Sequence, residues 1–277
     1  MILVTGGGGY VGRNVARRLA NRAIVLDDFR NSWLEAVPSG IAYQKHDLAT
    51  ALIAWDDHEA VIHCAGSVDA AQSVKHPAMY WWNNVGTPMA FFQGAVGKPV
   101  VVSSTLEAAA PVTPYGQTLQ AAEKALREAG VKLAVLRLAC VSGGDQIHRH
   151  ETQLIPTLLR AALTGEPVPL HGDGSAVRDY VHVEDVARAH VEAVGKAGVY
   201  ELGSGRVSTV LEVVETARRV TGRKIEVVAG PALPKEPPGR PADLAAARKD
   251  LGWAPRRSLE EIVASAWEWR QAHPNGY

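Results

Sequence analysis

Two cysteines in 277 residues, Cys64 and Cys140, cannot build a disulfide framework, and they form no C-x-x-C pair that would argue a redox role. An excess of one charge is also missing. The 29 Lys plus Arg balance 29 Asp plus Glu, so nothing in the charge points to a nucleic-acid partner. No apolar run approaches the roughly 18 residues of a membrane span. The first strand-like run begins at Ile2, which leaves no room for a secretory leader, and a cytoplasmic protein is expected. Internal repeats and low-complexity tracts are absent. Ten histidines are present, but only His148, His150 and Glu151 cluster, with no further ligand at good spacing, so no metal is expected. What the chain does have is 47% hydrophobic residues, which excludes a disordered chain. That content suits one large domain with a small second lobe.

Short apolar runs alternate with helical patterns. Ile2–Val4, Ile24–Leu26, Val61–His63, Val100–Val102 and Leu133–Leu138 read as strands. Val11, Val15 and Leu19 have helical spacing. Continuous apolar strands separated by helices indicate an α/β fold, a doubly wound parallel sheet covered on both faces. Such sheets bind ligands beyond the carboxyl ends of their strands. After about residue 145 prolines interrupt the rhythm, Thr209 and Glu212 form a capping box, and 230–241 reads as a loop. The expected division is a dinucleotide-binding domain over 1–145, to which 178–203 returns. A smaller substrate-binding lobe is expected from 146–177 and 204–277.

The strongest motif is Thr5-Gly6-Gly7-Gly8-Gly9-Tyr10-Val11-Gly12, placed between a strand and a helix. Glycines let the backbone approach a pyrophosphate, and the helix N-terminus offers free N–H groups. About twenty residues on, strand two ends in Asp27. A carboxylate there accepts hydrogen bonds from an adenosine ribose and repels a 2′-phosphate, which favours NAD over NADP. Arg13 and Arg30 argue the other way, since either could meet a phosphate.

Beyond these motifs the chain resembles the extended short-chain dehydrogenase/reductases, in particular the UDP-glucose 4-epimerase branch of the NAD-dependent epimerase/dehydratases. Gly6, Gly9 and Gly12 carry the family spacing. Asp27-Asp28-Phe29-Arg30-Asn31-Ser32 is similar to its second-strand end, and His46-Asp47-Leu48 to the segment whose Asp holds adenine. Val61 to Gly66, Asn83-Asn84-Val85, Arg178 to Asp185 and the tail from Trp267 to Tyr277 continue the likeness. The resemblance implies a Rossmann-type NAD domain, a homodimer and a UDP-hexose substrate. It also implies transient oxidation at C4 followed by hydride return. The cofactor residues it implies are Gly6, Gly9, Tyr10, Val11, Gly12, Asp27, Asp28, Asn31, Ser32, His46, Asp47, Leu48, Cys64, Ala65, Gly66, Asn84, Ser103 and Tyr115. Thr105 and Tyr115 are the implied catalytic pair. Thr105, Cys140, Arg178, Lys235 and Glu236 are the substrate residues, with Arg240 a second candidate for the diphosphate.

Four departures accompany the likeness. The family's Lys, four residues after the Tyr, is Leu119 here. An opposite charge about 4 Å away is worth roughly 4 kcal/mol at an effective dielectric near 20, about three pH units in a phenol's acidity. Without it the Tyr115 phenol returns toward about 10, and about one molecule in a thousand is ionised at neutral pH. Second, Thr105-Leu106-Glu107 resembles the Thr-Asp-Glu of the dehydratases, but Leu106 replaces the acid. Glu107 is therefore either an alternative base or a solvated loop carboxylate. Third, Thr105 and Tyr115 are ten residues apart, about half the family's distance, and a more open site is expected. Fourth, Cys140 stands where the family has an Asn and reads as a small buried thiol. Three readings remain: the epimerase, another nucleotide-sugar oxidoreductase or dehydratase with a different base, and a non-catalytic NAD-binding protein.

Overall fold

The computed structural model describes residues 1–146, 153–231 and 237–276. Its first strand β1 (Ile2–Thr5) is wholly buried and runs through the glycine loop into α1 (Tyr10–Leu19). Strands β2 (Ala23–Asp27), β3 (Ala42–Lys45) and β4 (Ala60–His63) follow. Next come α2 (Ala70–Lys75), α3 (Pro77–Trp81), one π-helical turn over Trp82–Gly86, and α4 (Thr87–Phe91). Strand β5 (Pro99–Thr105), helix α5 (Pro114–Glu128) and strand β6 (Lys132–Leu138) complete the first stretch.

The chain then leaves the sheet at β7 (Cys140–Ser142) and continues through α6 (Leu154–Thr164), β8 (Val168–His171) and β9 (Val177–His182). Helix α7 (Val183–Glu192) packs on α1, and β10 (Gly198–Leu202) pairs with β6. The rest is β11 (Val207–Thr209), α8 (Val210–Thr221), β12 (Val227–Gly230), α9 (Ala245–Leu251) and α10 (Leu259–Ala272).

Seven parallel strands lie in the order β10-β6-β5-β4-β1-β2-β3. This is the Rossmann-type sheet expected from the sequence. The strand order reverses between β1 and β4, so the crevice at their carboxyl ends is where a ligand binds in such a sheet. Val4, Ile62 and Val101 fill one face beneath α1 and α7, while Leu3, Val61, Val100 and Leu126 fill the other. A separate core joins α6, α8 and α10 around Leu158, Val213 and Trp267. Thr209 and Glu212 do form a reciprocal capping box at the start of α8. Among the described residues, no helix is long and apolar enough to cross a membrane.

Candidate active site

The glycine loop is fixed by exclusion of side chains. Gly6 has φ +69°, and a Cβ there would meet the backbone of Ala65 at 2.6 Å. A Cβ on Gly12 would collide with the Gly6 carbonyl oxygen. Gly6 N–H donates to the Leu26 carbonyl and Gly9 N–H to that of Gly6, at 2.9 and 3.0 Å. Tyr10, Val11 and Gly12 form the first turn of α1, where N–H groups have no acceptor within the helix and attract an anion. The Tyr10 side chain itself is buried. Cys64, Ala65 and Gly66 line the other wall, directly after β4. The hollow left between these backbones is the kind a pyrophosphate requires.

Asp27 organises this cradle from within. Its carboxylate accepts from the Gly8 N–H at 2.9 Å, the Phe29 N–H at 2.8 Å and the buried Ser32 hydroxyl at 3.0 Å. Beyond it, Asp28, Arg30, Lys45, His46 and Asp47 surround an open hollow of about 570 Å³. Leu48 packs into the core below, and Asn31 is exposed. The glycine cradle with its adjoining hollow fits a dinucleotide.

The two arginines with a claim on phosphate are committed elsewhere. Arg13 is buried and donates to the Asp145 carboxylate at 2.9 Å, to the Asp145 carbonyl and to the Gly8 carbonyl. It holds the loop instead of reaching through it. Arg30 bridges Asp28 at 3.4 Å and Asp47 at 3.0 Å on the surface.

The candidate catalytic face is built by β5 and α5. Along β5, Ser103, Ser104 and Thr105 take three different partners. Ser103 meets His190 Nε2 at 2.8 Å, with Cys64 Sγ at 3.4 Å. His190 Nδ1 lies 2.8 Å from the Val186 carbonyl, which only accepts, so Nδ1 carries the hydrogen and Nε2 accepts from Ser103. Burial pushes this imidazole down to about 4, so it stays neutral. Ser104 turns to Glu123, and Thr105 meets Tyr115 at the cleft.

Loss of hydration raises the Tyr115 phenol above the ordinary tyrosine value. The Thr105 hydrogen bond opposes this, while Glu107, Tyr80 and Cys140 add to it. None of these neighbours is a cation. The expected return toward about 10 is therefore corrected upward, because the phenol lacks water as well as a partner charge. Leu119 lines a small cavity with Ala65, Asn84 and Ser103.

Three further expectations change. Glu107 is neither free base nor solvated loop carboxylate. It accepts from Val112 N–H at 3.2 Å and from Thr113 N–H and hydroxyl, both at 2.7 Å, and so closes the short segment that leads into α5. Cys140 is exposed, not buried, because β7 leaves the sheet at the cleft. Asn84 is buried and spent at both ends: Oδ1 accepts from Ser67 N–H, and Nδ2 donates to the Ser67 carbonyl and the Thr118 hydroxyl. It braces the loop after β4 against α5.

Arg178 and Tyr115 both lie within electrostatic range of Cys140. Arg240 pairs with Glu201 at 2.6 Å and donates to the Leu106 carbonyl at 3.3 Å, at the edge of the same site. Lys235, Glu236 and the His148, His150, Glu151 cluster lie outside the described residues. Glu123 was missed by the sequence reading. Its signal was the spacing Tyr115, Leu119, Glu123, one residue per helical turn on one face.

The comparisons with known proteins agree with this geometry. The model of the NAD dependent epimerase/dehydratase family matches residues 2–203. The UDP-glucose 4-epimerase of Streptomyces lividans is 34% identical, over 99% of this chain and 97% of its own length. That alignment runs over 323 positions against 277 residues here, so the relative has residues with no counterpart in this chain. The solved UDP-glucose 4-epimerase of Thermotoga maritima with UDP-glucose is 28% identical, covers 99% of both chains and has a TM-score of 0.91. That of Brucella ovis in complex with NAD is 28% identical, with a TM-score of 0.86 over 96% of this chain and 97% of its own.

Proposed function

The chain belongs to the NAD-dependent epimerase/dehydratase family, and on that footing we propose that it epimerises the C4 centre of a UDP-hexose, in the manner of UDP-glucose and UDP-galactose. The observation that carries this reading is the meeting of Tyr115 and Thr105 beside a glycine cradle that fits a dinucleotide. NAD, when bound, supplies reversible hydride acceptance at the sugar carbon. The chain's own residues do the rest. Thr105 orients the C4 hydroxyl, and the Tyr115 oxygen takes its proton and later returns it. Arg178 and Arg240 face the diphosphate, and Cys140 lies beside the sugar.

Tyr115 accomplishes this from an unfavourable starting point. Its phenol is held protonated at neutral pH, and among the described residues no side chain acting on it is cationic. Turnover is therefore slow at neutral pH and rises with pH as the phenolate fraction grows. Two copies of the chain pair through the exposed face of Met79, Trp81 and Trp82. The test is to add UDP-galactose to the NAD-loaded protein, follow the reduced-nicotinamide absorbance and analyse the sugars. Formation of UDP-glucose without net reduction supports the reading. A net loss of water or net reduction would assign a dehydratase or dehydrogenase instead. Bound NAD that never reduces with any nucleotide sugar would leave a binding protein.

A further inference from the structure

Tyr115, Leu119 and Glu123 recur every four residues along α5 and so share one face of the helix. The upper end of that face holds the phenol. The lower end holds a carboxylate that is 4% exposed, deep between the helix and the sheet. Glu123 Oε1 accepts from the Ser104 hydroxyl at 2.5 Å and from Arg137 Nε at 3.0 Å. Oε2 accepts from Arg137 Nη2 at 2.6 Å. This is a bidentate arginine–carboxylate pair with a third donor, the most directional arrangement such groups make.

Its three members come from three elements of the catalytic face. Ser104 immediately precedes Thr105 on β5. Arg137 is the residue opposite Ser104 in the β5–β6 register, three positions before Cys140. Glu123 lies on the helix that carries Tyr115. One buried carboxylate thus ties together the strand that supplies the hydroxyl, the helix that supplies the phenol and the strand that leads to the substrate side.

We propose that Glu123, Ser104 and Arg137 are positioning residues for the reaction: they hold Tyr115 against Thr105 in a helix that has no lysine at position 119 to hold it there. Leu119 contributes only apolar surface to the small cavity shared with Ala65, Asn84 and Ser103. A lysine at that place would add a polar group to this face of α5, halfway between the phenol and the clamp. With leucine there, the polar ties of α5 to β5 itself are the clamp below and the Thr105–Tyr115 contact, while the Thr118–Asn84 and Gln120–Ala108 bonds tie the helix to neighbouring segments. A small rotation of the helix about its axis would separate that pair first. Misplacement by about 1 Å is enough to cost on the order of 100-fold in rate.

The proposal rests on the epimerase reading for its kinetic test and on local opening for its structural one. The experiment compares the full-length protein with Ser104→Ala, Arg137→Lys and Glu123→Gln, each alone and combined with Leu119→Lys. The readouts are kcat and KM with UDP-galactose, retained NAD, and amide exchange over residues 115–118. Glu123→Gln leaves a buried guanidinium short of charge and threatens folding, so Ser104→Ala, which removes only one donor, is the milder member of the set.

In the native background each change is expected to lower kcat by about 10-fold or more, to hold KM within about 2-fold, and to speed exchange in the first turn of α5. In the Leu119→Lys background the loss of kcat shrinks to about 3-fold or less, because the lysine supplies a competing tie. Equal losses in both backgrounds, or a loss expressed in KM, would overturn the proposal. If neither the native protein nor Leu119→Lys turns over any nucleotide sugar, the epimerase reading fails and the exchange data decide alone. Faster exchange at residues 115–118 in Ser104→Ala would then uphold the clamp, and unchanged exchange would overturn it.

Discussion

The cofactor cradle and the catalytic face lie against each other across the carboxyl ends of β1, β4 and β5, yet they are specified in opposite ways. The cradle is defined by what is missing. Gly6 and Gly12 work because no side chain fits where the Ala65 backbone and the Gly6 carbonyl pass. The proposed catalytic face is defined by what the family resemblance calls for: a hydroxyl, a phenol, a cation beside it and an amide toward the sugar. Here the hydroxyl and phenol remain as Thr105 and Tyr115, while Leu119 and Cys140 stand at the other two places. A site specified by empty space tolerates no addition. A site specified by functional groups can lose one and keep its shape.

That asymmetry can be broken from the cradle side first. Gly12→Ala is expected to abolish measurable NAD binding, a loss of about 100-fold or more, because the new methyl must push α1 away from the loop. The same strain costs over about 3 kcal/mol of stability. Calorimetric titration with NAD and thermal unfolding check both.

The next largest effect concerns Arg13. Its partner Asp145 also pairs with Arg17, so Arg13→Met leaves the acid with a single, more exposed cation. A stability loss of about 3 kcal/mol is expected. The ratio of NAD to NADP affinity should stay within about 2-fold of its native value. A rise in that ratio, with NADP binding selectively weakened, would restore Arg13 as a ligand of the 2′-phosphate and blur the line between the two regions.

Arg30→Ala should do least. The Asp28–Arg30–Asp47 bridge lies at the surface, and such pairs contribute less than about 1 kcal/mol. Denaturant unfolding should place the change within about 0.5 kcal/mol.

What was legible in the sequence follows the same division. The strands β1, β2, β4, β5 and β6 are buried on both faces, so they appear as uninterrupted apolar runs, and the glycine spacing is a local pattern. Strand β3 was invisible because all four of its residues are exposed at the sheet edge. Local capping was readable: Thr209 with Glu212 was seen, and Ser258 with Glu261 carried the same signal.

Commitments made across the chain were not readable. Arg13 looked like an anion ligand because its true partner is 132 positions away. That Asn84 ties the loop after β4 to Thr118, 34 positions on, could not be read from local sequence. Glu107 needed the fold of its own short loop to show that the carboxylate was occupied. Helical spacing puts Leu119 on the Tyr115 face of α5, but only the packing around Tyr115 reveals that the phenol is raised further by burial.

The central claim is that Tyr115 serves as the base without a neighbouring cation. The most direct test is the pH dependence of kcat for the native protein and for Leu119→Lys, with saturating NAD and UDP-galactose. A group whose acidity is weakened must lose its proton before it can act, so its rate rises as pH rises. The native kcat should climb by up to about tenfold per pH unit from pH 7 to 9. Leu119→Lys should exceed it by about 10- to 100-fold at pH 7 and level off at lower pH. A native rate that is already flat over that range, and unchanged by the lysine, would show that Tyr115 is not the base.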